Sequence, residues 1–225
     1  DMGRQLKFIN GGCKIVASFP EYKDLPIIIG ESDPEGCAAC SFASGYRENA
    51  YRNGIMYSSY TAASFARKYE LADKHRVNFE GAVSWSFEFE DKPWFDGFRS
   101  MATNGVDKPV LNVFRMFGMM NGERVSVSQE NPYTAEKIVS EKVRGTRPDV
   151  HALASKSANE ACVMVWNYHD DYLPDRDAEV TVNLEGIPAR KAQLHHYRID
   201  RNHSNSYTVW REMGAPQQVT REQYQ

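Results

Sequence analysis

Several features that would classify a protein at once are scarce or missing in this sequence. Its 225 residues carry four cysteines, too few for a disulfide framework at this length. Lysine and arginine number 27 against 30 aspartates and glutamates, and neither sign forms a block, so no nucleic-acid partner is indicated. No apolar run approaches the roughly 18 residues of a membrane-spanning helix, so no membrane partner is indicated either. No glycine-rich nucleotide-binding motif occurs, and we expect no cofactor.

The cysteines and histidines give little support for a metal site. Cys37 and Cys40 are separated by two residues, but a structural zinc site would need a second ligand pair, and Cys13 and Cys162 stand alone. A redox pair would open a helix in a thioredoxin-like unit, for which there is no pattern. The six histidines are dispersed apart from one adjacent pair. We therefore expect packing or loop thiols and no bound metal.

The most informative segment runs from Pro26 to Pro34. Ile27, Ile28 and Ile29 are β-branched without polar alternation, which is typical of a parallel strand buried on both faces. Glu31 stands where this strand would end, and in a (β/α) barrel the catalytic groups lie at the carboxyl ends of the strands. Glu31 is therefore a candidate nucleophile or general acid/base. The same residues could instead begin a turn or cap a helix.

Helical and extended patterns alternate through the first half of the chain. They predict helices at residues 5–18, 56–75 and 109–118 and strands at residues 27–29 and 81–87. Pro109 lies in the first turn of the last of these helices and Gly118 at its end. This order is the βα alternation of a parallel α/β architecture.

The second half changes character near residue 123. Short runs rich in Val, Thr and Tyr predict strands at residues 124–128, 150–155, 161–168, 178–184 and 192–199. About 100 residues of this kind indicate a β-sandwich. The polar segment 129–149 is predicted to be an exposed loop. The predicted domains are therefore an α/β part, residues 1–122, and an all-β part, residues 123–225.

The end of the second predicted strand and the loop after it interleave acidic and aromatic side chains. They are Trp85, Phe87, Glu88, Phe89, Glu90, Asp91, Trp94, Phe95 and Asp96. Such a mixture suits a sugar, whose C–H face stacks on rings while its hydroxyls bond to carboxylates. Alternatively, Trp85 and Phe87 are barrel core and the acids are solvated loop residues.

Together these segments resemble glycoside hydrolase family 39, which contains bacterial β-xylosidases and α-L-iduronidases. Gly30-Glu-Ser-Asp-Pro-Glu-Gly-Cys-Ala-Ala-Cys40 resembles the family's seventh-strand motif. Trp85-Ser-Phe-Glu-Phe-Glu-Asp91, followed by Phe95-Asp-Gly-Phe98, is similar to its eighth-strand segment. Lys108-Pro-Val-Leu-Asn-Val-Phe114 resembles the helix that closes the barrel. The resemblance extends to the sandwich ending around residues 196–224.

The resemblance implies the C-terminal portion of a (β/α)8 TIM barrel followed by a β-sandwich. It also implies a retaining β-xylosidase that releases xylose from xylo-oligosaccharides or aryl xylosides. Glu31 would be the nucleophile and Glu90 a ligand of sugar hydroxyls, whereas Asp33 would brace the loop. The remaining substrate-binding residues would be Trp85, Phe89, Phe95 and Asp96.

Other activities stay open at this point. β-Glucosidase, α-L-arabinosidase and iduronidase activities belong to the same class of enzyme. A noncatalytic carbohydrate-binding module would instead use the sandwich and its aromatics Tyr168, Tyr172 and Tyr197.

The second catalytic carboxyl group has no candidate in this chain. A retaining glycosidase needs two carboxyl groups roughly 5 to 5.5 Å apart. The family's acid/base Glu stands between Asn and Pro, and no Asn-Glu-Pro occurs here. A whole barrel takes about 250 residues, yet only about 120 precede the predicted sandwich. We therefore expect the chain to work with the rest of its barrel, supplied as upstream residues or a second chain.

Overall fold

The computed structural model describes residues 1–171, 173, 177–186 and 191–224. Its helices and strands, in chain order, are α1 (Met2–Ala17), β1 (Ile27–Ile29), a 3-10 helix (Arg47–Asn53), α2 (Ile55–His75), β2 (Phe79–Ala82), β3 (Ala102–Thr103), β4 (Val106–Asp107), α3 (Pro109–Met119), β5 (Glu123–Val125), α4 (Ala135–Glu141), β6 (Asp149–Lys156), β7 (Ala161–Tyr168), α5 (Ser206–Glu212) and α6 (Arg221–Tyr224). Among the described residues, no helix combines the length and apolar character that crossing a bilayer requires.

The three long helices of the first half are confirmed. In α1 the Asp1 carboxylate caps the first turn by accepting the Arg4 N–H at 2.9 Å. The α2 helix ends where Arg76 adopts a left-handed conformation. The α3 helix begins with Pro109, whose missing N–H is harmless in the first turn.

The predicted parallel strand pair is also present. β1 and β2 are parallel neighbours, and α2 connects them as the crossover helix. The ladder continues past both strands, because the Ser32 N–H donates to the Val83 carbonyl at 2.8 Å. Ile28 is 61% exposed, because no described residue covers that face of the pair, and its burial stays a prediction.

The second strand is shorter than predicted. β2 ends at Ala82 rather than near Phe87, because its partner β1 ends at Ile29 and a strand extends only where a neighbour offers hydrogen-bonding groups. Trp85 and Phe87 consequently leave the strand and are 52% and 59% exposed. Their interpretation as core residues is wrong within the described structure.

The second half contains one antiparallel sheet in the order β5, β6, β7. Its strands match the predictions for residues 124–128, 150–155 and 161–168. The strands predicted at residues 178–184 and 192–199 are not observed, since these described segments have no regular structure. Val180, Val182 and Leu184 alternate as in a strand, but they are exposed and have no partner strand among the described residues. The second sheet of a sandwich therefore stays a prediction.

The segment predicted as an exposed loop, residues 129–149, contains the helix α4. Thr134 caps this helix, since its hydroxyl oxygen accepts the Lys137 N–H at 3.2 Å. Ile138 is fully buried on its inner face. The loop prediction was wrong because a helix of seven residues shows barely two turns of periodicity, and Gly145 and Pro148 dominate the local composition.

One hydrophobic core spans the predicted boundary between residues 122 and 123. It joins Met2 and Leu6 of α1 to Ile138 of α4 and Trp166 of β7. The division into two domains at this boundary stays a prediction.

The three aromatics named for the alternative binding module include one that is buried. Tyr168 is buried, its ring meets that of Tyr60 edge to face at 5.7 Å, and its hydroxyl donates to Asp170 at 2.7 Å. Tyr197 is exposed, and Tyr172 lies outside the described residues. Tyr168 therefore cannot serve as the surface aromatic that a binding module would need.

Candidate active site

The candidate site lies at the carboxyl ends of β1 and β2. Because these strands are parallel, the loops that follow them leave from the same edge and run side by side. Glu31 comes two residues after the end of β1, and its side chain is 50% exposed. Its Oε1 atom forms an ion pair with the guanidinium of Arg99, which lies in the loop after β2.

Asp33 ties the two loops to α2. Its carboxylate accepts hydrogen bonds from the hydroxyl of Tyr57 at 3.0 Å, from the hydroxyl of Ser84 and from the Trp85 N–H at 3.2 Å. Burial raises the pKa of Asp33, and these hydrogen bonds together with the charge of Lys68 offset part of that rise. A buried carboxylate with this many partners is a brace, as the resemblance implied.

Arg99 is the centre of the cluster, and it was missed by the sequence reasoning. Its side chain is 1% exposed, and its Nε–H donates to the Trp85 carbonyl at 3.0 Å. One terminal nitrogen donates to the Glu35 carbonyl, and the other faces both Glu31 and, at 3.4 Å, Asp33. The one available signal was its position directly after the quoted Phe95-Asp-Gly-Phe98 string.

The loop after Glu31 is closed by a disulfide between Cys37 and Cys40, with Cα atoms 5.5 Å apart. The interpretation of this pair as packing or loop thiols is therefore wrong. Two cysteines at this spacing also occur in metal and redox sites, so spacing alone did not select the disulfide. Cys13 and Cys162 are free thiols.

Arg52 binds the main chain of the same loop, which follows Glu31. Its buried guanidinium donates to the carbonyls of Cys37 at 2.9 Å, Cys40 at 3.2 Å and Gly97 at 3.3 Å. Its Nε–H donates to the Glu35 carboxylate at 2.7 Å. One side chain thus joins the loop after β1 to the loop after β2.

Two of the predicted sugar-binding aromatics lie beside this cluster. The rings of Trp85 and Phe89 meet edge to face at 5.7 Å, and Phe89 packs on Phe98 at 4.8 Å. Because the Trp85 carbonyl accepts from Arg99, the exposed indole is anchored next to the partner of Glu31. Glu90 follows Phe89 in an exposed turn.

Phe95 and Asp96 are placed further inside the fold. The Phe95 ring is buried against Tyr207 at 5.3 Å and Trp210 at 5.0 Å, which attaches α5 to the first half. The Asp96 carboxylate accepts the Ala43 N–H at 3.3 Å. These contacts support the loops, and direct sugar contacts by either residue stay a prediction.

Two lysines are buried near the site. Lys68 has Ser64 Oγ 3.5 Å away and the Phe65 ring at 4.0 Å, and burial holds its pKa well below the usual value. Lys108 donates to the Phe98 carbonyl at 2.9 Å, and burial lowers its pKa to about 7. Across the described part of the chain, no cluster of three or more histidine, cysteine or acidic side chains could hold a metal ion.

Comparison with known proteins identifies the family to which the sequence is similar. The family model described as glycosyl hydrolases family 39 matches residues 6–225. A β-xylosidase from Caldicellulosiruptor saccharolyticus is 26% identical over 131 residues, which are 58% of this chain and 24% of that protein. The match therefore covers about a quarter of the length of this relative.

Proposed function

Since this chain belongs to glycosyl hydrolases family 39, we propose that it supplies the nucleophile Glu31 to a retaining, exo-acting β-xylosidase. One observation carries the proposal. Glu31 projects from the carboxyl end of a parallel strand as a half-exposed carboxylate, and a buried arginine pairs with it. A carboxylate at such an edge is held in place and remains open to a substrate.

The chemistry of the proposed reaction has two steps. The Glu31 carboxylate attacks the anomeric carbon of xylose, and the bond from that carbon to the aglycone oxygen breaks as the acid/base group protonates the departing oxygen. Water then attacks the same carbon, the acid/base group takes its proton, and Glu31 leaves as a carboxylate. Xylose is released with its anomeric configuration retained. We propose that the acid/base Glu belongs to the rest of the barrel.

We propose that the residues around Glu31 divide between sugar contact and support. The exposed face of Trp85 and the ring of Phe89 suit the C–H face of xylose, and Glu90 suits its hydroxyls. Phe95 and Asp96 would support the loops that form the pocket, Phe95 through its packing on α5 and Asp96 through its hydrogen bond with Ala43. The substrate would be a xylo-oligosaccharide or an aryl xyloside.

Glu31→Ala in the complete protein tests the role of Glu31. We expect at least a 1,000-fold loss of kcat on an aryl β-xyloside, roughly the effect of removing a nucleophile. Added azide should restore turnover by attacking the anomeric carbon directly and should give the α-xylosyl azide, because one displacement inverts the configuration. Glu130→Gln, a change at an exposed glutamate before α4, is the matched control and should keep full activity. Full activity of the Glu31 variant would end the proposal.

Substrate choice is tested separately. We expect hydrolysis of aryl β-xylosides to exceed that of aryl β-glucosides, α-L-arabinosides and iduronides by at least ten-fold in kcat/KM, a discrimination of about 1.4 kcal/mol. A higher value for one of the other glycosides would move the assignment to that activity and leave the role of Glu31 intact.

A further inference from the structure

We propose that Arg99 is the positioning residue of the nucleophile: its buried guanidinium fixes the Glu31 carboxylate in the orientation from which it attacks. The inference rests on the proposed function, since it assigns a role at the same site. Nothing in the sequence pattern singled out Arg99, and the contacts alone carry the assignment.

The guanidinium itself is held rigidly. Its Nε–H and one terminal nitrogen are bonded to the main-chain carbonyls of Trp85 and Glu35, one from each of the two loops. These bonds fix the plane of the fork, so the remaining nitrogen points in one direction. That direction is occupied by Glu31 Oε1, with Asp33 Oδ2 at 3.4 Å.

The burial of the two partners is unequal. Arg99 is 1% exposed, whereas Glu31 is 50% exposed. The cation therefore lies on the buried side of the carboxylate, and the other side of Glu31 is open to solvent. An ordinary surface ion pair, with both side chains free to move, would give no such orientation.

The backbone of Arg99 is fixed as well. Its main-chain N–H donates to the Ala38 carbonyl at 2.9 Å, inside the loop closed by Cys37 and Cys40. The loop that carries Glu31 and the loop that carries Arg99 are thus joined at both the main chain and the side chain.

The charges around the pair explain why an arginine is needed. Glu31 and Asp33 come from the loop after β1, and Tyr57 and Lys68 face Asp33 from α2. The Glu35 carboxylate is turned away to Arg52. Without Arg99, the negative charges of Glu31 and Asp33 would be neighbours without a cation between them, and protonation of Glu31 would become easier. When Glu31 is esterified during the reaction, Asp33 still balances Arg99.

Arg99→Ala and Arg99→Lys in the complete protein test the inference. We expect kcat on an aryl β-xyloside to fall about 100-fold in each, because a nucleophile displaced by about 1 Å costs that much. KM should change little. The acidic limb of the kcat/KM profile should move to higher pH in Arg99→Ala, since the cation that favours ionised Glu31 is gone. Added guanidinium ion should restore part of the kcat of Arg99→Ala.

Arg67→Lys is the matched control. Arg67 is equally buried and pairs with Asp149 at 2.8 Å in the core between α2 and β6. Its substitution should lower thermal stability and leave the acidic limb unchanged, which separates loss of a buried arginine from loss of positioning. Circular dichroism establishes that each variant is folded, and Arg99→Lys retains a cation at the site if Arg99→Ala fails to fold.

A second measurement separates this inference from the proposed function. An aryl 2-deoxy-2-fluoro-β-xyloside forms the glycosyl ester quickly and releases it slowly, so peptide mass spectrometry identifies the labelled residue. Labelling of Glu31 in the unmodified protein and a slower labelling rate in both Arg99 variants is the expected result. Labelling of Glu31 at unchanged rates, with an unmoved acidic limb, would overturn the role of Arg99 alone. A label on another residue would overturn the proposed function.

Discussion

Several arginine and lysine side chains are buried in this chain, and the arginines have more hydrogen-bond partners than the lysines. Arg52 and Arg99 are surrounded by main-chain carbonyls and carboxylates, so their planar forks are largely satisfied. Within the described residues, Lys68 has one hydrogen-bond partner, Ser64, and Lys108 also has one, the Phe98 carbonyl. An ammonium group with so few partners loses its hydration without replacement, and its protonated form becomes unfavourable.

Lys108 gives a prediction about pH and stability. Burial lowers its pKa to about 7 in the folded chain, from an ordinary value of 10.5. Between these values the unfolded chain holds a proton that the folded chain has released, so unfolding takes up a proton. The free energy of unfolding should therefore rise with pH across this window, by at most roughly 1.4 kcal/mol per pH unit.

Lys108→Met is the variant that measures this effect. It removes the titrating amine and keeps the side-chain length, and it gives up the hydrogen bond to the Phe98 carbonyl. In the complete protein, we expect the difference in melting temperature between the unmodified form and the variant to change steadily from pH 7 to pH 10 in favour of the unmodified form. Parallel curves for the two proteins would show that Lys108 does not titrate in this range.

The local sequence pattern predicted Glu31 as a candidate catalytic residue, but it could not predict that Arg99 contacts Glu31. The strand of three isoleucines and the acid after it lie within five residues, so their relation is local. Arg99 is 68 residues from Glu31 along the chain and 64 from Glu35, and its role depends on where two loops meet. A side chain that acts by bridging loops leaves no periodic signal in a sequence.

At the scale of elements, the loop of residues 30–40 is stabilised in two independent ways. The disulfide between Cys37 and Cys40 closes a short ring, and Arg52 binds the carbonyls of both cysteines. A ring this small stabilises by about 2 kcal/mol through the entropy of the unfolded chain. The hydrogen bonds of Arg52 do not depend on the oxidation state of the thiols.

Replacing both cysteines in the complete protein, Cys37→Ser with Cys40→Ser, should therefore lower stability without abolishing folding. We expect a loss of up to about 2 kcal/mol, and a reducing agent should lower the melting temperature of the unmodified protein but not of the double variant. Cys162→Ser, a change at a free thiol, is the control and should keep the response to reduction. Alkylation of Cys37 and Cys40 without prior reduction, detected in the peptide that carries both, would contradict the disulfide.

The length of a helix and the presence of a partner strand explain which elements could be predicted from the sequence. The helices α1, α2 and α3 have eleven to 21 residues, and their periodicity and end signals agree. The seven residues of α4 are too few for such a signal. A strand needs a neighbour as well as a pattern. β7 formed beside β6, whereas residues 178–184, of equally suitable composition, pair with no strand in the part of the chain that the structure describes.

At the scale of the whole molecule, the first half presents large apolar side chains to solvent. Phe8, Ile15, Ile28, Trp85 and Phe87 are between 52% and 69% exposed. They lie on α1, on the parallel strand pair and on the loop that leaves it. A parallel pair normally has both faces covered, and exposed apolar area on this scale marks a surface that packs against other structure.

We therefore predict that the 225 residues alone will lack a cooperative, monomeric unfolding transition and will bind a hydrophobic dye, whereas the complete protein will unfold cooperatively.

The Ile28→Lys variant tests whether the uncovered strand pair is the cause. In the complete protein the remaining barrel would cover this position, and a buried lysine should cost at least about 2 kcal/mol. In the separate chain Ile28 faces water, so the same change should leave dye binding equal or lower. Glu130→Lys, a charge change at an exposed site, should have no effect in either protein. Calorimetry and size-exclusion chromatography measure both effects, and a monomeric cooperative transition of the separate chain, or tolerance of Ile28→Lys in the complete protein, would refute the prediction.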